Sequence, residues 1–170
     1  MKKATCMVGA VICSLVIAGK TLAETARADL HNEQGKKVGT ATLEETPHGV
    51  LISLDLDGMS PGTHALHIHE VGKCEPPFKS AGGHFNPTEK KHGMLSTAGM
   101  HAGDLPNINV PESGKLKVDV FATGVTLGSG KNGLFDGDGS SLVIHAAPDD
   151  YKTDPAGEAG ARVACGVIMK

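Results

Sequence analysis

The feature that most limits what this chain can fold into is a two-residue period. In "GVLISLDLDG", Val50, Ile52, Leu54 and Leu56 fall on even positions, and only Leu51 breaks the alternation with polar residues. Side chains alternate faces along a strand, so this run is a strand with one buried face. "TARADLHN" and "KVGTATLEET" read the same way and flank a turn at "EQGK". "THALHIHE" (63–70) resumes as a strand after the turn "MSPG", and "GKLKVDVFAT", "SSLVIHAA" and "ARVACGVIM" add three more. No window of twelve or more residues carries a helical period. The 23 glycines and 9 prolines suit short strands joined by many turns, and 3% aromatics without Trp make the core aliphatic. The expectation is an all-β, Ig-like antiparallel sandwich or flattened barrel, and 170 residues fit one domain.

Residues 1–23 read as a signal peptide rather than as part of the fold. Lys2 and Lys3 precede the apolar run "MVGAVICSLVIA", which has the length of a signal core and is too short to span a bilayer. Cleavage is expected after Ala23, with Ala18 as the alternative, leaving 24–170 as the mature domain in the periplasm or otherwise exported. Cys6 and Cys13 leave with the leader. Cys74 and Cys165 remain, and in an oxidising compartment they are expected to form one disulfide. Removing Lys2, Lys3 and Lys20 turns a net charge of −3 into 13 basic against 19 acidic side chains, or −6. That balance argues against a nucleic-acid partner, and no stable membrane association is expected once the leader is gone.

Two segments lack periodicity, Val71 to Pro111 and Pro148 to Gly160. So long an irregular stretch in a compact domain is functional or disordered, and a metal is a natural means of ordering it. Three patterns in the chain are decoys. "GSGKNG" (128–133) has no helix after it, "DGDG" (136–139) lacks the remaining ligands of a calcium loop, and the proline in "NPT" excludes Asn86 as a glycan acceptor.

Histidines carry the chemistry. His67 and His69 share one face of a strand, about 6–7 Å apart, close enough to clamp one ion. His64 has the opposite parity and reads as a structural histidine, while His31 and His48 read as surface residues. His84, His92, His101 and Asp104 follow in the long segment, and His145 ends an apolar strand. His92, His101 and Asp104 with one more histidine make an N3O set that suits zinc. His67, His69 and His145 with one more make an all-imidazole set that suits Cu(II). His84 is free to serve either, or both as a bridge.

"HALHIHE", "SAGGHFNP", "KKHG", "HAGDLPN", "SSLVIHAAPDD" and "GARVACGV" together resemble, in order, the motifs of the copper–zinc superoxide dismutases. The spacing His84-x7-His92-x8-His101-x2-Asp104 matches the family's as well. The resemblance implies a Greek-key β-barrel of about eight strands with a long metal-binding loop and an electrostatic loop. It implies one copper per subunit on His67, His69, His84 and His145, and one zinc per subunit on His84, His92, His101 and Asp104. It further implies a Cys74–Cys165 disulfide, Arg162 as the cation that attracts the substrate anion, and Asp149 as the outer carboxylate joining a copper histidine to a zinc histidine. The implied activity is dismutation of superoxide to O2 and H2O2, protecting against extracytoplasmic superoxide, with His84 also carrying a proton. Monomer and homodimer both fit. Lys79 and Lys152 read as surface lysines, with steering as the lesser alternative, and Met94 and Met100 as loop filler, with contact with Cu(I) during loading as the lesser alternative. A non-enzymatic periplasmic copper/zinc-binding protein on the same frame is the alternative, favoured by loss of a copper histidine or of Arg162. All of these residues are present.

Overall fold

A computed structural model describes residues 23–170. The leader expected over 1–23, apart from its last residue, lies outside the described residues, as do Cys6 and Cys13. Nine strands follow one another: β1 (Thr25–Asn32), β2 (Lys37–Thr46), β3 (Gly49–Asp57), β4 (Gly62–His64), β5 (Leu66–His69), β6 (Ile108–Val110), β7 (Lys115–Ala122), β8 (Ser141–His145) and β9 (Arg162–Val167). Seven form one antiparallel sheet in the order β5-β8-β9-β1-β2-β3-β7, and β4 pairs with β6. The chain thus runs β1-β2-β3 as a meander, crosses to the far edge at β5, and returns through β6 to lay β7 beside β3 in Greek-key fashion.

The two-residue period holds along β3, but in β2 the buried face switches parity at a bulge around Val38, from Val38 to Ala41 and Leu43. Along β3, Val50, Ile52, Leu54 and Leu56 are buried while Ser53, Asp55 and Asp57 face water. The sheet curls around one aliphatic core containing Leu30, Leu43, Ile52, Leu66, Ile68, Leu142 and Ile144. Gly35, at φ 75°, makes the β1–β2 turn inside "EQGK".

Two readings need correction. "THALHIHE" is not one strand but two. At Ala65 the chain changes partners, from β6 on one side to β8 on the other, and the Ala65 amide and carbonyl bond to Ala147 and His145. The segment 71–111 is also not without structure, since it contains β6 and a short 3-10 turn, Lys79–Ala81. These account for nine strands rather than about eight; three-residue elements carry too little alternation to be read.

The long segment is tied down by the protein itself, before any metal is considered. Ile68 on β5 exchanges backbone hydrogen bonds with Gly103 and Phe85, and Gly103 in turn donates to Phe85. Phe85 and Leu105 plug the core, and Phe78 is buried against Val143 and Cys165. A Cys74–Cys165 disulfide, closing 91 residues of sequence, anchors the segment to β9. No helix among the described residues is long and apolar enough to cross a membrane.

Candidate metal centre

β5 and β8 carry three of the histidines on rigid backbone. His67 and His69 alternate with Leu66 and Ile68 along β5, so their rings share the face turned to the loops, with ring centroids 6.4 Å apart. His145 ends β8, and its ring stacks at 5.7 Å from that of His69. His84 comes from the long segment, bridged to His69 through the backbone. One ligand atom from each of His67, His69, His84 and His145 lies within 4.8 Å of the others, and all four residues are buried.

The second ring nitrogen of each strand histidine is already committed. His69 Nδ1–H donates to the Gly82 carbonyl at 3.1 Å, and His145 Nδ1–H to the Gly160 carbonyl at 3.4 Å. His67 Nε2–H donates to Asp149 Oδ2 at 2.9 Å. Because a carbonyl or carboxylate oxygen only accepts, each bond fixes a tautomer and leaves the opposite nitrogen with a free lone pair. Five buried side-chain N or O atoms among the described residues have no hydrogen-bond partner, and four of them are His67 Nδ1, His69 Nε2, His84 Nε2 and His145 Nε2. A buried acceptor without a partner costs about 1–3 kcal/mol. Four converging on one point fit a cation that accepts imidazole nitrogens in tetragonal geometry, as Cu(II) does.

The adjoining set is of a different kind. Asp104 Oδ1 sits 2.8 Å from His84 Nδ1, 3.0 Å from His92 Nδ1 and 3.2 Å from His101 Nδ1. Asp104 Oδ2 is occupied by the amides of Gly93 and His101. His92 Nε2–H donates to Asp149 Oδ1 at 3.0 Å, so a neutral His92 turns a lone pair on the Asp104 carboxylate. Two acceptors face each other that way only with a proton or cation between them. A tetrahedron with metal–ligand bonds of about 2.0 Å has edges of about 3.3 Å, so the N3O cluster fits zinc.

Electrostatics agree with ligand-ready imidazoles. Burial pushes His69 down to about 2, helped by the nearby His84 and Arg162 charges. Burial likewise holds His145 at about 3, and His84 at about 4 despite its bond to Asp104. Burial alone would raise the Asp104 and Asp149 carboxyls. Hydrogen bonds from His101, His84 and the Gly93 amide outweigh it at Asp104, and those from His67, His92 and the Tyr151 amide do so at Asp149; both stay ionised well below the usual carboxylate range.

The structure gathers His67, His69, His84, His145, His92, His101, Asp104 and Asp149 into adjoining buried groups. Asp149 joins the two sets by accepting from His67 and His92, so the facing atoms of His67, His92 and Asp149 are already paired with one another. Arg162 Nη1 and Nη2 donate to the Phe78 and Gly82 carbonyls. The guanidinium lines an open cleft of about 450 Å³ together with His84, His101, His145 and Glu70. Lys79 and Lys152 are exposed and are not among the lining residues. His64 is buried between the His145 and Ser60 carbonyls, the structural role read for it. His48 is exposed and His31 half-buried.

Several supporting residues were missed. Asn107 clamps the Asp149 backbone with its side-chain amide, accepting and donating at 2.9 Å. The Tyr151 hydroxyl accepts the Asn107 amide. Gly157, at φ +64°, leaves room for the Asp149 carboxylate; a Cβ there would stand 1.8 Å from Oδ1. "HAGDLPN" contained Asn107 in plain view, but only its partner across 42 residues gives it a role.

A profile of the family described as copper/zinc superoxide dismutase (SODC) matches residues 37–168. The chain belongs to the copper/zinc superoxide dismutase family. Superoxide dismutase [Cu-Zn] 1 of Aquifex aeolicus is 55% identical over 144 residues, covering 83% of this chain and 85% of that protein. A crystal structure of a SOD-like protein from Bacillus subtilis superposes with a TM-score of 0.80 at 40% identity, covering 82% of this chain and 95% of the other. The Cu/Zn superoxide dismutase from Brucella abortus gives 0.69 at 29% identity, covering 85% and 99%.

Proposed function

We propose that this protein is a copper- and zinc-dependent superoxide dismutase, converting two superoxide anions and two protons into O2 and H2O2. The single observation that carries the reading is the convergence of four buried, unpartnered nitrogens from His67, His69, His84 and His145, with the other nitrogen of His84 turned into the N3O set. His67, His69, His84 and His145 would hold copper; His84, His92, His101 and Asp104 would hold zinc. Copper when bound supplies the one-electron exchange, and zinc supplies a redox-inert charge that organises the loop.

The chain's own residues do the rest. Arg162, a permanent cation fixed by two carbonyls, draws the anion into the cleft and orients it. Buried β5 and β8 hold three imidazoles at set positions, which limits rearrangement between oxidation states. His84 faces both sets through its two nitrogens, and its Nε2 is the atom that takes up and releases a proton. Asp149 keeps His67 and His92 in the tautomers that ligation needs.

Residues 1–23 direct export and 24–170 work outside the cytoplasm, in the periplasm. The apolar leader and the surviving cysteine pair support this, and bacterial relatives such as the superoxide dismutase of Caulobacter vibrioides, 47% identical over 148 residues, are consistent with it. The test is metal content, the Cu(II) EPR spectrum and the rate of superoxide decay of the purified mature protein. His69→Ala should abolish dismutation while zinc is retained, and Arg162→Glu should slow it and reverse its salt dependence. A metal-loaded wild type without dismutase activity overturns the proposal.

A further inference from the structure

We propose that Glu70 is a positioning residue for the copper side of the site, acting on His69 and Arg162 through the peptide unit that joins Gly82 to Gly83. The inference deepens the function proposed above and rests on it.

The Gly82 carbonyl is a node. It accepts His69 Nδ1–H at 3.1 Å and Arg162 Nη2–H at 2.6 Å. A carbonyl oxygen has two lone pairs, so both are committed, one to a ligand's tautomer and one to the substrate-facing cation. Where that carbonyl points therefore decides how both side chains are aimed.

What holds the carbonyl is Glu70. A peptide unit is planar and trans, so the Gly82 C=O and the Gly83 N–H belong to one rigid plate and point in opposite directions. Glu70 Oε1 accepts the Gly83 N–H at 2.8 Å, and the Glu70 amide donates to the Gly83 carbonyl at 3.0 Å. Gripping the plate by its N–H edge fixes its C=O edge. The sequence leaves room for this grip. Gly82 sits at φ +74°, and a Cβ there would stand 2.8 Å from both Glu70 Cγ and Oε1. Asp149 does for His67 by direct contact what Glu70 does for His69 across one peptide.

The carboxylate has a second, opposing effect. Glu70 lines the cleft beside His84, His145 and Arg162, so its negative charge faces an arriving anion and weakens the pull of Arg162. The acceptor and the charge are separable. Glu70→Gln keeps an oxygen for the Gly83 N–H and removes the charge; Glu70→Ala removes both.

The experiment compares wild-type holoenzyme with these two variants, all loaded with copper and zinc. It reads the Cu(II) EPR spectrum, the rate of copper release to a chelator, and superoxide decay. Glu70→Ala is expected to release copper about 3–10-fold faster than Glu70→Gln, less than the roughly 10–100-fold typical of removing a direct outer partner of a metal ligand because Glu70 acts through one peptide, with a broadened spectrum. Glu70→Gln should match the wild type in spectrum and release, and dismute superoxide at least as fast. Equal spectra and release rates in the Ala and Gln variants would overturn the proposal, as would a Gln variant slower than wild type. The EPR and release measurements do not depend on turnover. An inactive wild type would therefore sink the dismutase reading while leaving this comparison to stand or fall on its own.

Discussion

Asp149 accepts hydrogen bonds from one histidine of each metal set, and its removal separates what the scaffold holds from what the carboxylate holds. Its oxygens accept His67 Nε2–H at 2.9 Å, His92 Nε2–H at 3.0 Å and the Tyr151 amide at 2.6 Å. Asp149→Ala deletes both imidazole acceptors while Asn107 still grips the backbone on either side. The two histidines then differ in what remains. His67 lies on β5, paired residue by residue with β8. His92 lies on irregular backbone, and its ring has only Asp104 left to orient it. Losing an outer hydrogen bond to a metal ligand typically costs 10–100-fold in affinity, or about 1.4–2.7 kcal/mol. Zinc affinity should fall by the whole of that, and copper affinity by less than about tenfold. Competition titrations with chromophoric chelators measure both, and the melting temperature of the metal-free variant checks that the fold persists. An unchanged zinc affinity, or copper lost ahead of zinc, would refute the argument that scaffold rigidity decides which site depends on Asp149.

Gly157→Ala should weaken zinc as much as Asp149→Ala does, because its Cβ would stand 1.8 Å from Asp149 Oδ1 and 2.8 Å from His92 Nε2; normal zinc affinity in that variant would contradict it. Cys165→Ser should cost about 4–5 kcal/mol of unfolding free energy on the loop-entropy model, given the 91-residue separation, and denaturant titration of the metal-free protein reads it. The metal-free protein should also lose stability as pH falls. His69, His84 and His145 are held at about 2, 4 and 3 when folded against an ordinary 6.5, so only the unfolded chain takes up their protons as pH drops below 6.5. Each then removes about 1.4 kcal/mol per pH unit until its folded value is reached, and a melting temperature that stays flat from pH 7 to pH 5 would refute it.

The fold was legible wherever alternation ran for eight or more residues, as in β3, since a two-residue period with one buried face leaves few alternatives. It failed at three-residue elements. β4 and β6 depend on each other, Thr63 opposite Asn109 and His64 opposite Ile108, and no local pattern predicts a partner 46 residues away. The long segment was only partly legible for a related reason. Its irregularity pointed to a metal as the ordering agent, while Phe78, Phe85 and Leu105, single apolar residues without period, anchor it to the core as well.

At the site the division falls between ligands and what aims them. Ligation needs particular side chains, so the seven candidate ligands stand out in the sequence at their spacings. Aiming needs only an oxygen in the right place, and every residue has a carbonyl. The Gly82 and Gly160 carbonyls, which set the tautomers of His69 and His145, therefore leave no mark of their own in the sequence. Their trace is indirect: both glycines sit at φ +74°, a conformation other residues rarely take. A glycine beside a metal histidine is thus a statement about the backbone oxygen it frees to point inward. Substituting it would misdirect a ligand while leaving the full ligand set intact.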